Sequence, residues 1–560
     1  METIKPWLQD YPPDVPASID AGSFQSINQM FDEACHQYAD LPAFTCMGKS
    51  ISYGELDRLS SAFAAFLLSL PGMAPGERVA IMLPNLLQYP IVMFGALRAG
   101  LVVVNVNPLY TERELQHQLQ DAGARAIVVL ENFASKVERV LPATAVRHVL
   151  VTRVGDMLDP PKRMIVNMAV RHIKKMVPRW HIPGAIRLLQ ALSAGSKLAA
   201  QARPGRMAHG NDIAFLQYTG GTTGVSKGVV LTHSNVIANV LQCSAWIGNT
   251  LRQREEIVLT PLPLYHAFSL VANCLTFMNF GGHSILITNP KDLPAFVKTM
   301  RAYPWTVMTG VNTLYNALAN QPGFGPDCAR AAKLSIGAGA AMLRPVMERW
   351  MAATKAAMIE GYGLSEATAG VCINPLHRPR CGSVGIPLPS TEVQIRRDDG
   401  SLCACGEPGE ILVRGPQVMQ GYWQRPAETA EVLSADGWLK TGDIGTMDEH
   451  GWVTITDRKK DMIIVSGFNV YPTEIEAVIA AHPGVLEAAA IGVADAHSGE
   501  AVKLFVVRKD PALTAEEILA HCDVNLTRYK IPRHIEFRDE LPKTPVGKIL
   551  RRELRDASLS

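Results

Sequence analysis

The sequence predicts an α/β protein: a large N-terminal domain of sheet layers, a small β-rich subdomain and a C-terminal α+β domain. Three observations carry this. From Tyr53 onward, strand-like and helix-like segments alternate, and several strands are apolar throughout, as in a sheet covered on both faces. From Pro387 the texture changes to short segments separated by Asp-Gly or Gly turns. After a polar stretch, Asp457-Arg-Lys-Lys-Asp461, further α and β segments follow as a separate unit. The boundaries expected are 1–456 for the first domain and 457–560 for the second, with a hinge at about 457–461. Within the first lie a basic insert at about 160–211 and the β-rich subdomain at about 387–456.

Taken in order, residues 1–50 read as a polar, Pro-containing extension followed by a short helix near 27–38. A helix over 56–70 leads to the strand Arg78-Val-Ala-Ile-Met-Leu. Pro84-Asn85 opens a second helix through Arg98, and Val102-Val-Val-Asn-Val is the next strand. Residues 112–122 are helical and Ala126-Ile-Val-Val-Leu is again a strand. Between Asp159 and Asp212 there is no acidic residue. Inside this gap, 163–177 is amphipathic at helical period. Arg163, Asn167, Arg171, Lys174 and Lys175 fall on one side. Ile165, Val166, Met168, Ala169, Val170, Ile173, Met176 and Val177 fall on the other. Two readings stand: a helix lying on an anionic membrane surface, or one packing its apolar side on its own domain.

From Ile257 to Pro290 there is no Asp, Glu, Lys or Arg, long enough to span a bilayer. Pro261, Pro263, His266, Asn273, Asn279, Gly281 and Gly282 interrupt it, so it reads as a buried strand, a buried helix and a second buried strand. Strands at 305–309, 333–337 and 357–359 follow, then the β-rich segments 392–395, 410–414 and 452–456. The last unit comprises 473–481, 488–493, 502–508, 515–526 and 535–537.

Composition excludes several classes. With 48% hydrophobic and 19% charged residues over 560 positions, the chain builds cores and is not disordered. Its net charge of +2 gives no global case for nucleic acid, and the aromatics do not interleave with a basic stripe. Ten cysteines show no C-x-x-C and no metal-ligand spacing. No secretory signal is apparent, so reduced thiols in a cytoplasm are expected.

The densest concentration of ligand-binding chemistry is Tyr218-Thr-Gly-Gly-Thr-Thr-Gly-Val-Ser-Lys-Gly228, between Ile213-Ala-Phe-Leu and Val229-Val-Leu. Gly220, Gly221, Gly224 and Gly228 let backbone N–H groups approach a phosphate closely. Thr219, Thr222, Thr223 and Ser226 offer hydroxyls and Lys227 a positive charge, while Tyr218 and Val225 complete the stretch. The loop fails the Walker A pattern, because Ser226 precedes Lys227 and Gly228 follows it. Four further islands stand out. Gly337-Ala-Gly-Ala-Ala341, centred on Gly339, suits close approach by a flat ring. Residues 360–368 offer Tyr362, Ser365, Glu366 and Thr368. Trp438-Leu-Lys-Thr-Gly-Asp443 ends in an acid, and Pro542-Lys-Thr-Pro-Val-Gly-Lys548 sets a lysine in a loop.

In this order and spacing the islands resemble the adenylate-forming (AMP-binding) enzymes, which include acyl-CoA synthetases, luciferases and peptide-synthetase adenylation domains. The branch most similar is that of bacterial long-chain fatty-acid–CoA ligases. The resemblance runs from about 25 to 555 and is also carried by Pro261-Leu-Pro-Leu-Tyr-His266, Gly421-Tyr-Trp423, Asp457-Arg-Lys-Lys-Asp-Met-Ile463, Val465-Ser-Gly-Phe-Asn-Val-Tyr-Pro472 and Gly547-Lys-Ile-Leu-Arg-Arg552. It implies ATP-dependent activation of a fatty acid to an acyl-adenylate, then transfer to CoA. It implies that residues 218–228 hold the β- and γ-phosphates, that Thr219 and Glu366 hold magnesium, and that Tyr362 stacks on adenine opposite the Gly339 turn. Asp443 and Arg458 then bond the ribose hydroxyls, and Lys548 bridges the attacking carboxylate and the α-phosphate. His266 lies in the acyl pocket, Gly467 lines the pantetheine tunnel, and the C-terminal domain is mobile, turning at Asp457. Lys548, His266 and Glu366 form the expected catalytic set.

Three positions depart from the pattern. Ser226 replaces a frequent proline, Ile464 a lysine that reaches the phosphates in some relatives, and Leu270 a tryptophan gate found in some long-chain enzymes. The resemblance leaves open a medium-chain or aryl acid, a carrier-protein acceptor, a luciferase-like oxygenase and a non-catalytic lipid-binding relative. The partners expected are fatty acid, ATP and CoA, without nucleic acid. The insert resembles that of the long-chain branch and favours peripheral contact with the inner membrane by a cytoplasmic protein, and a homodimer is the oligomer considered.

Overall fold

The computed structural model describes residues 5–199, 208–219, 226–248, 250–466, 468–495, 497–544 and 547–559. Two large sheets dominate. The first, of nine strands, runs Ile386–Pro387, Cys372–Ile373, Ala357–Tyr362, Leu334–Gly337, Val307–Gly310, Ile257–Thr260, His283–Leu286, Pro42–Cys46 and Lys49–Ser52. Its central strands are parallel and its margins antiparallel. The second, of eight, runs Gly421–Tyr422, Gly228–Thr232, Ile213–Tyr218, Val102–Asn105, Arg78–Met82, Ala126–Leu130, His148–Thr152 and Ile186–Arg187.

Strand alternation explains how both sheets are covered on each face. In Arg78–Met82, Val79 and Ile81 enter a core shared with the first sheet. Ala80 and Met82 face a separate core closed by helix Glu112–Ala122. The shared core contains helix Gln88–Arg98, apolar and buried nearly all round, where Phe94 stacks on Phe31 at 3.9 Å. The far face of the first sheet is covered by Trp305, Tyr315 and Trp350.

Element types follow the expectations, and the two differences at helix starts have specific causes, one local and one distant in sequence. The first long helix begins at Tyr53, because Ser52 and Glu55 form a reciprocal capping box. The second begins at Gln88, not at Pro84-Asn85. Asn85 is committed elsewhere: its amide donates to the carbonyls of Thr260 and Leu262 at 2.9 Å each, and its Oδ1 accepts from Leu264 N–H at 2.9 Å. The uncharged stretch 257–290 folds as expected, with buried helical turns across Ala267–Ser269, Leu270–Leu275 and Thr276–Asn279 between two strands. Among the described residues no helix is long and apolar enough to cross a membrane.

The basic insert is inverted. Helix Pro160–Met168 continues into a wide turn, Ala169–Ile173. Part of its polar side is held by the protein, while Lys174 and Lys175 stay exposed: Asn167 Oδ1 accepts from Gly155 N–H at 2.8 Å, and its amide donates to Asp156 at 3.1 Å. Arg171 reaches the buried Glu131 at 3.1 Å, alongside Arg153 and Arg187. Much of its apolar side faces outward, with Ile173 74% and Met164 67% exposed and Ile165, Met168 and Met176 beside them, while Val166, Ala169, Val170 and Val177 are half-buried. The reading in which the apolar side packs wholly on its own domain does not hold, since its largest apolar side chains are exposed.

The β-rich segment forms a four-stranded antiparallel sheet, Glu392–Arg396, Gly409–Arg414, Leu439–Met447 and Val453–Arg458. The last unit has its own sheet around Val485–Asp495 and Gly499–Arg508, with Ile463–Val465, Phe468–Val470 and the parallel strand His534–Arg538.

Helix Leu188–Ala199 crosses Tyr53–Ser69 with almost no gap, since a Cβ on Gly195 would lie 1.9 Å from the carbonyl oxygen of Ala62. Gly195→Val should therefore destabilise the fold by about 3 kcal/mol, read as a lowered urea midpoint, whereas an unchanged midpoint would contradict this contact.

Candidate active site

The candidate residues converge beyond the carboxyl ends of the parallel strands in the first sheet, where open α/β sheets bind ligands. Leu334–Gly337 runs into the small-residue turn, in which Gly339 takes φ +79°. A Cβ there would be strained, so glycine permits the turn. Glu360, on the adjacent strand, accepts the Met342 N–H at 2.9 Å and holds the turn from below. Burial pushes the Glu360 carboxyl up to about 8.

Ala357–Tyr362 delivers Tyr362, whose hydroxyl donates to Asp443 Oδ2 at 2.7 Å. Asp443 and Arg458 face each other across two strands of the β-rich sheet, and Arg458 Nε lies 3.2 Å from Asp443 Oδ1. Glu366 follows on the short turn Ser365–Ala367. Its Oε1 accepts the Tyr422 hydroxyl at 3.0 Å, and burial raises its carboxyl above the ordinary range. Thr368 takes φ 64°, a strained conformation for a β-branched residue, secured by its hydroxyl on the Gln417 carbonyl at 2.7 Å.

The C-terminal loop enters this site. Gly547 has φ +86°, and its carbonyl accepts the Thr313 hydroxyl at 2.9 Å. A Cβ on Gly547 would lie 2.8 Å from that hydroxyl oxygen. Lys548 is thereby drawn half-buried into the site, and desolvation, then the nearby Arg458, lowers its amine to about 8. Asp443 acts in the opposite direction. His266 lies within the field of the same lysine: burial first and Lys548 second lower it to about 4, so its ring is neutral at pH 7. Its Nδ1 accepts from Phe268 N–H at 3.4 Å at the start of a helical turn.

The expected phosphate loop is described only at its edges. Gly220, Gly221, Thr222, Thr223, Gly224 and Val225 lie outside the described residues, as does Gly467. Thr219 N–H donates to the Lys227 carbonyl at 3.0 Å, and Tyr218 pairs with Gly228 across the antiparallel strands. The Tyr218 hydroxyl donates to Asp121 at 2.7 Å. Lys227 pairs with Glu428 and sits 5.0 Å above the Tyr422 ring. The Ser226 carbonyl lies 3.0 Å from His117 Nε2. Tyr362, Asp443, Arg458, Lys548 and His266 are thus brought together, while Tyr218 and Lys227 are engaged by acids of their own.

Glu360, Thr313, Asn85 and Tyr422 were not assigned roles from sequence. Tyr422 lies in the Gly421-Tyr-Trp423 motif and Glu360 opens the 360–368 island, so the signal for both lay in their neighbours. Asn85 resembled a helix start because its partners lie far along the chain.

Two family models match this chain: AMP-binding enzyme over residues 31–423, and AMP-binding enzyme C-terminal domain over 474–548. The chain belongs to the AMP-binding enzyme family. It is 52% identical over 553 residues to the long-chain-fatty-acid–CoA ligase of Escherichia coli O157:H7, covering 99% of this chain and 98% of that one. It is 50% identical over 565 residues to that of Haemophilus influenzae, covering 100% and 99%. The ATP-bound MatB structure from Rhodopseudomonas palustris superposes with a TM-score of 0.81 at 29% identity, covering 95% of this chain and 99% of that one.

For an AMP-binding enzyme, the donor set fits a hard cation. Glu366 is a half-buried carboxylate raised by desolvation, and Thr219 adds a hydroxyl oxygen. Among the described residues no cluster of three or more His, Cys, Asp or Glu could hold a metal by itself.

The Lys548 amine should titrate near pH 8 by NMR of labelled lysine, using Lys548→Arg to assign the signal, because burial favours the neutral form over the ordinary 10.5. Asp443→Asn removes a charge that raises this value, so the midpoint should fall further; a rise would contradict the arrangement.

Proposed function

We propose that this AMP-binding enzyme joins a long-chain fatty acid to CoA through an acyl-adenylate. The observation that carries the reading is the half-buried Lys548 amine, set by a docked loop beside Asp443, Arg458 and His266. The E. coli and H. influenzae relatives, which match over nearly the whole chain, favour a long-chain acid and CoA as acceptor.

In the first step a carboxylate oxygen attacks the α-phosphorus of ATP, the bond to the bridging oxygen breaks and pyrophosphate leaves. Negative charge accumulates on the phosphoryl oxygens, and preorganised donors and cations stabilise it without reorganisation. Lys548 supplies that charge between the carboxylate and the α-phosphate. Tyr362 and the Gly339 turn flank the adenine, Asp443 and Arg458 bind the ribose, and residues 218–228 hold the departing phosphates. The neutral His266 positions the acid in the acyl pocket without a competing positive charge. Thr219 and Glu366 would hold magnesium, which supplies Lewis-acid neutralisation of phosphate charge when bound. In the second step the CoA sulfur attacks the acyl carbonyl and AMP leaves. The C-terminal body turns about the hinge at 457–461, which withdraws Lys548 and brings the Gly467 side to the site.

Purified protein with ATP, magnesium, CoA and fatty acids of graded length should release AMP and form acyl-CoA, most efficiently with long chains. Absence of AMP with every acid would sink the proposal, and AMP without acyl-CoA would indicate another acceptor. Lys548→Ala should abolish acyl-adenylate formation yet spare thioester formation from supplied acyl-adenylate.

The outward apolar face of residues 164–176 suits a bilayer interface, and Lys174, Lys175 and Arg179 around it, with no acid between 159 and 212, suit anionic lipid. We place the enzyme in the cytoplasm with this face against the inner membrane. Ile165→Glu with Ile173→Glu should abolish sedimentation with anionic vesicles and leave activity on dispersed substrate unchanged. Unchanged sedimentation would refute the contact, and loss of a dimer in sedimentation velocity would assign the face to a second copy of the chain instead.

A further inference from the structure

Asp457 belongs to two bodies at once. Its backbone completes strand Val453–Arg458, paired with Ile444 in the β-rich sheet. Its carboxylate is held from the other side. Oδ2 accepts the Thr473 N–H at 2.8 Å and the Thr473 hydroxyl at 3.0 Å. Helix Pro472–Ala480 has no side-chain cap of its own at Tyr471, so Asp457 supplies the acceptor its N-terminus requires. Oδ1 is 3.1 Å from Arg551 Nη1.

Arg551 is the centre of this cluster. It binds Glu476 with two nitrogens, at 3.0 and 2.7 Å, and donates to Thr473 Oγ1 at 3.3 Å. It also reaches Asp461 at 3.4 Å, which Arg555 binds at 2.9 Å. The side chains of Asp457, Asp461 and Arg551 are 1%, 8% and 16% exposed. A planar guanidinium facing three acids at this depth has one arrangement that satisfies them, so the cluster is directional. Arg551 also opens helix Arg551–Leu559, directly after the loop that carries Lys548.

The geometry points to Arg551 as a positioning residue: by clasping the Asp457 carboxylate it latches the pose in which Lys548 is docked, and the clasp must open or redirect before the C-terminal body turns. Rotation at 457–461 changes the direction of the Asp457 backbone relative to Thr473 and Arg551. The carboxylate cannot keep both its strand and its present partners through a large turn. The anchor of the lysine loop and the anchor of the hinge are then one side chain, which couples the two half-reactions to one contact. This rests on the two-step reading above.

Arg551→Lys keeps the charge and loses the fork, and Thr473→Val removes one clamp on Asp457. Each is compared with wild type in acyl-adenylate formation, in thioester formation from supplied acyl-adenylate, and in tryptic cleavage at Arg458, Lys459 and Lys460. Acyl-adenylate formation should fall about 10-fold while thioester formation stays within about twofold, and cleavage should accelerate by a similar factor. Equal loss of both half-reactions with unchanged cleavage, in variants that melt as wild type does, would overturn the latch and leave the cluster structural. If wild type itself forms no acyl-adenylate, the proposed function fails, and the cleavage rates still decide the latch.

Discussion

A lysine amine partly withdrawn from water beside an arginine is the constraint on which the site depends. Partly desolvating the Lys548 ammonium near Arg458 is unfavourable by itself, and Asp443 only partly offsets it. The loop is kept in place by contacts that do not involve that charge: the Thr313 hydroxyl on the Gly547 carbonyl, and the Thr544 hydroxyl oxygen accepting the Lys548 N–H at 3.0 Å. The cation therefore waits where negative charge will arrive, and the nucleotide relieves an unfavourable burial. Such preorganisation favours a transition state richer in charge than the ground state.

That lysine must come from a body able to leave, which explains how the junction is built. Asp443 and Arg458 are cross-strand partners, so the groups facing the lysine belong to a rigid ladder in the β-rich sheet. One residue earlier, Asp457 turns its carboxylate into the other body. Register decides this division, because successive side chains along a strand point to opposite faces.

The insert obeys a different balance. Its polar side makes directional bonds to Gly155, Asp156 and Glu131, and Met164, Ile165, Met168, Ile173 and Met176 of its apolar side remain uncovered by the described chain. Exposed Ile173 and Met164 are unfavourable in water, so the arrangement is sensible for a surface that meets an apolar phase. Glu131, ringed by Arg153, Arg171 and Arg187, fixes which side turns inward.

Much of this was legible along the chain because its causes are local. The strand at 78–82 and the helix at 112–122 follow from apolar periodicity, and Thr111 and Glu114 form the cap that starts that helix. The uncharged 257–290 stretch resolved into a strand, a helical stretch and a strand because prolines and glycines punctuate it. The phosphate-loop chemistry and the Lys548 island were visible as residue types concentrated beyond any packing need. What remained hidden depends on partners distant in sequence. Asn85 looked like a helix start until the 260–264 loop claimed its amide. Lys227 looked like a free phosphate-binding charge, but the fold brings Glu428 against it. The periodicity of 163–177 defined two faces and left open which one the protein would keep, since an amphipathic pattern is symmetric to that choice. Sequence by itself determined the local elements and the chemical inventory, because short-range sterics, capping and periodicity act within a few residues. Only the tertiary structure decided which charges are paired, which face is exposed and that Arg551 holds Asp457, because burial and Coulomb interactions depend on distances that chain order does not contain.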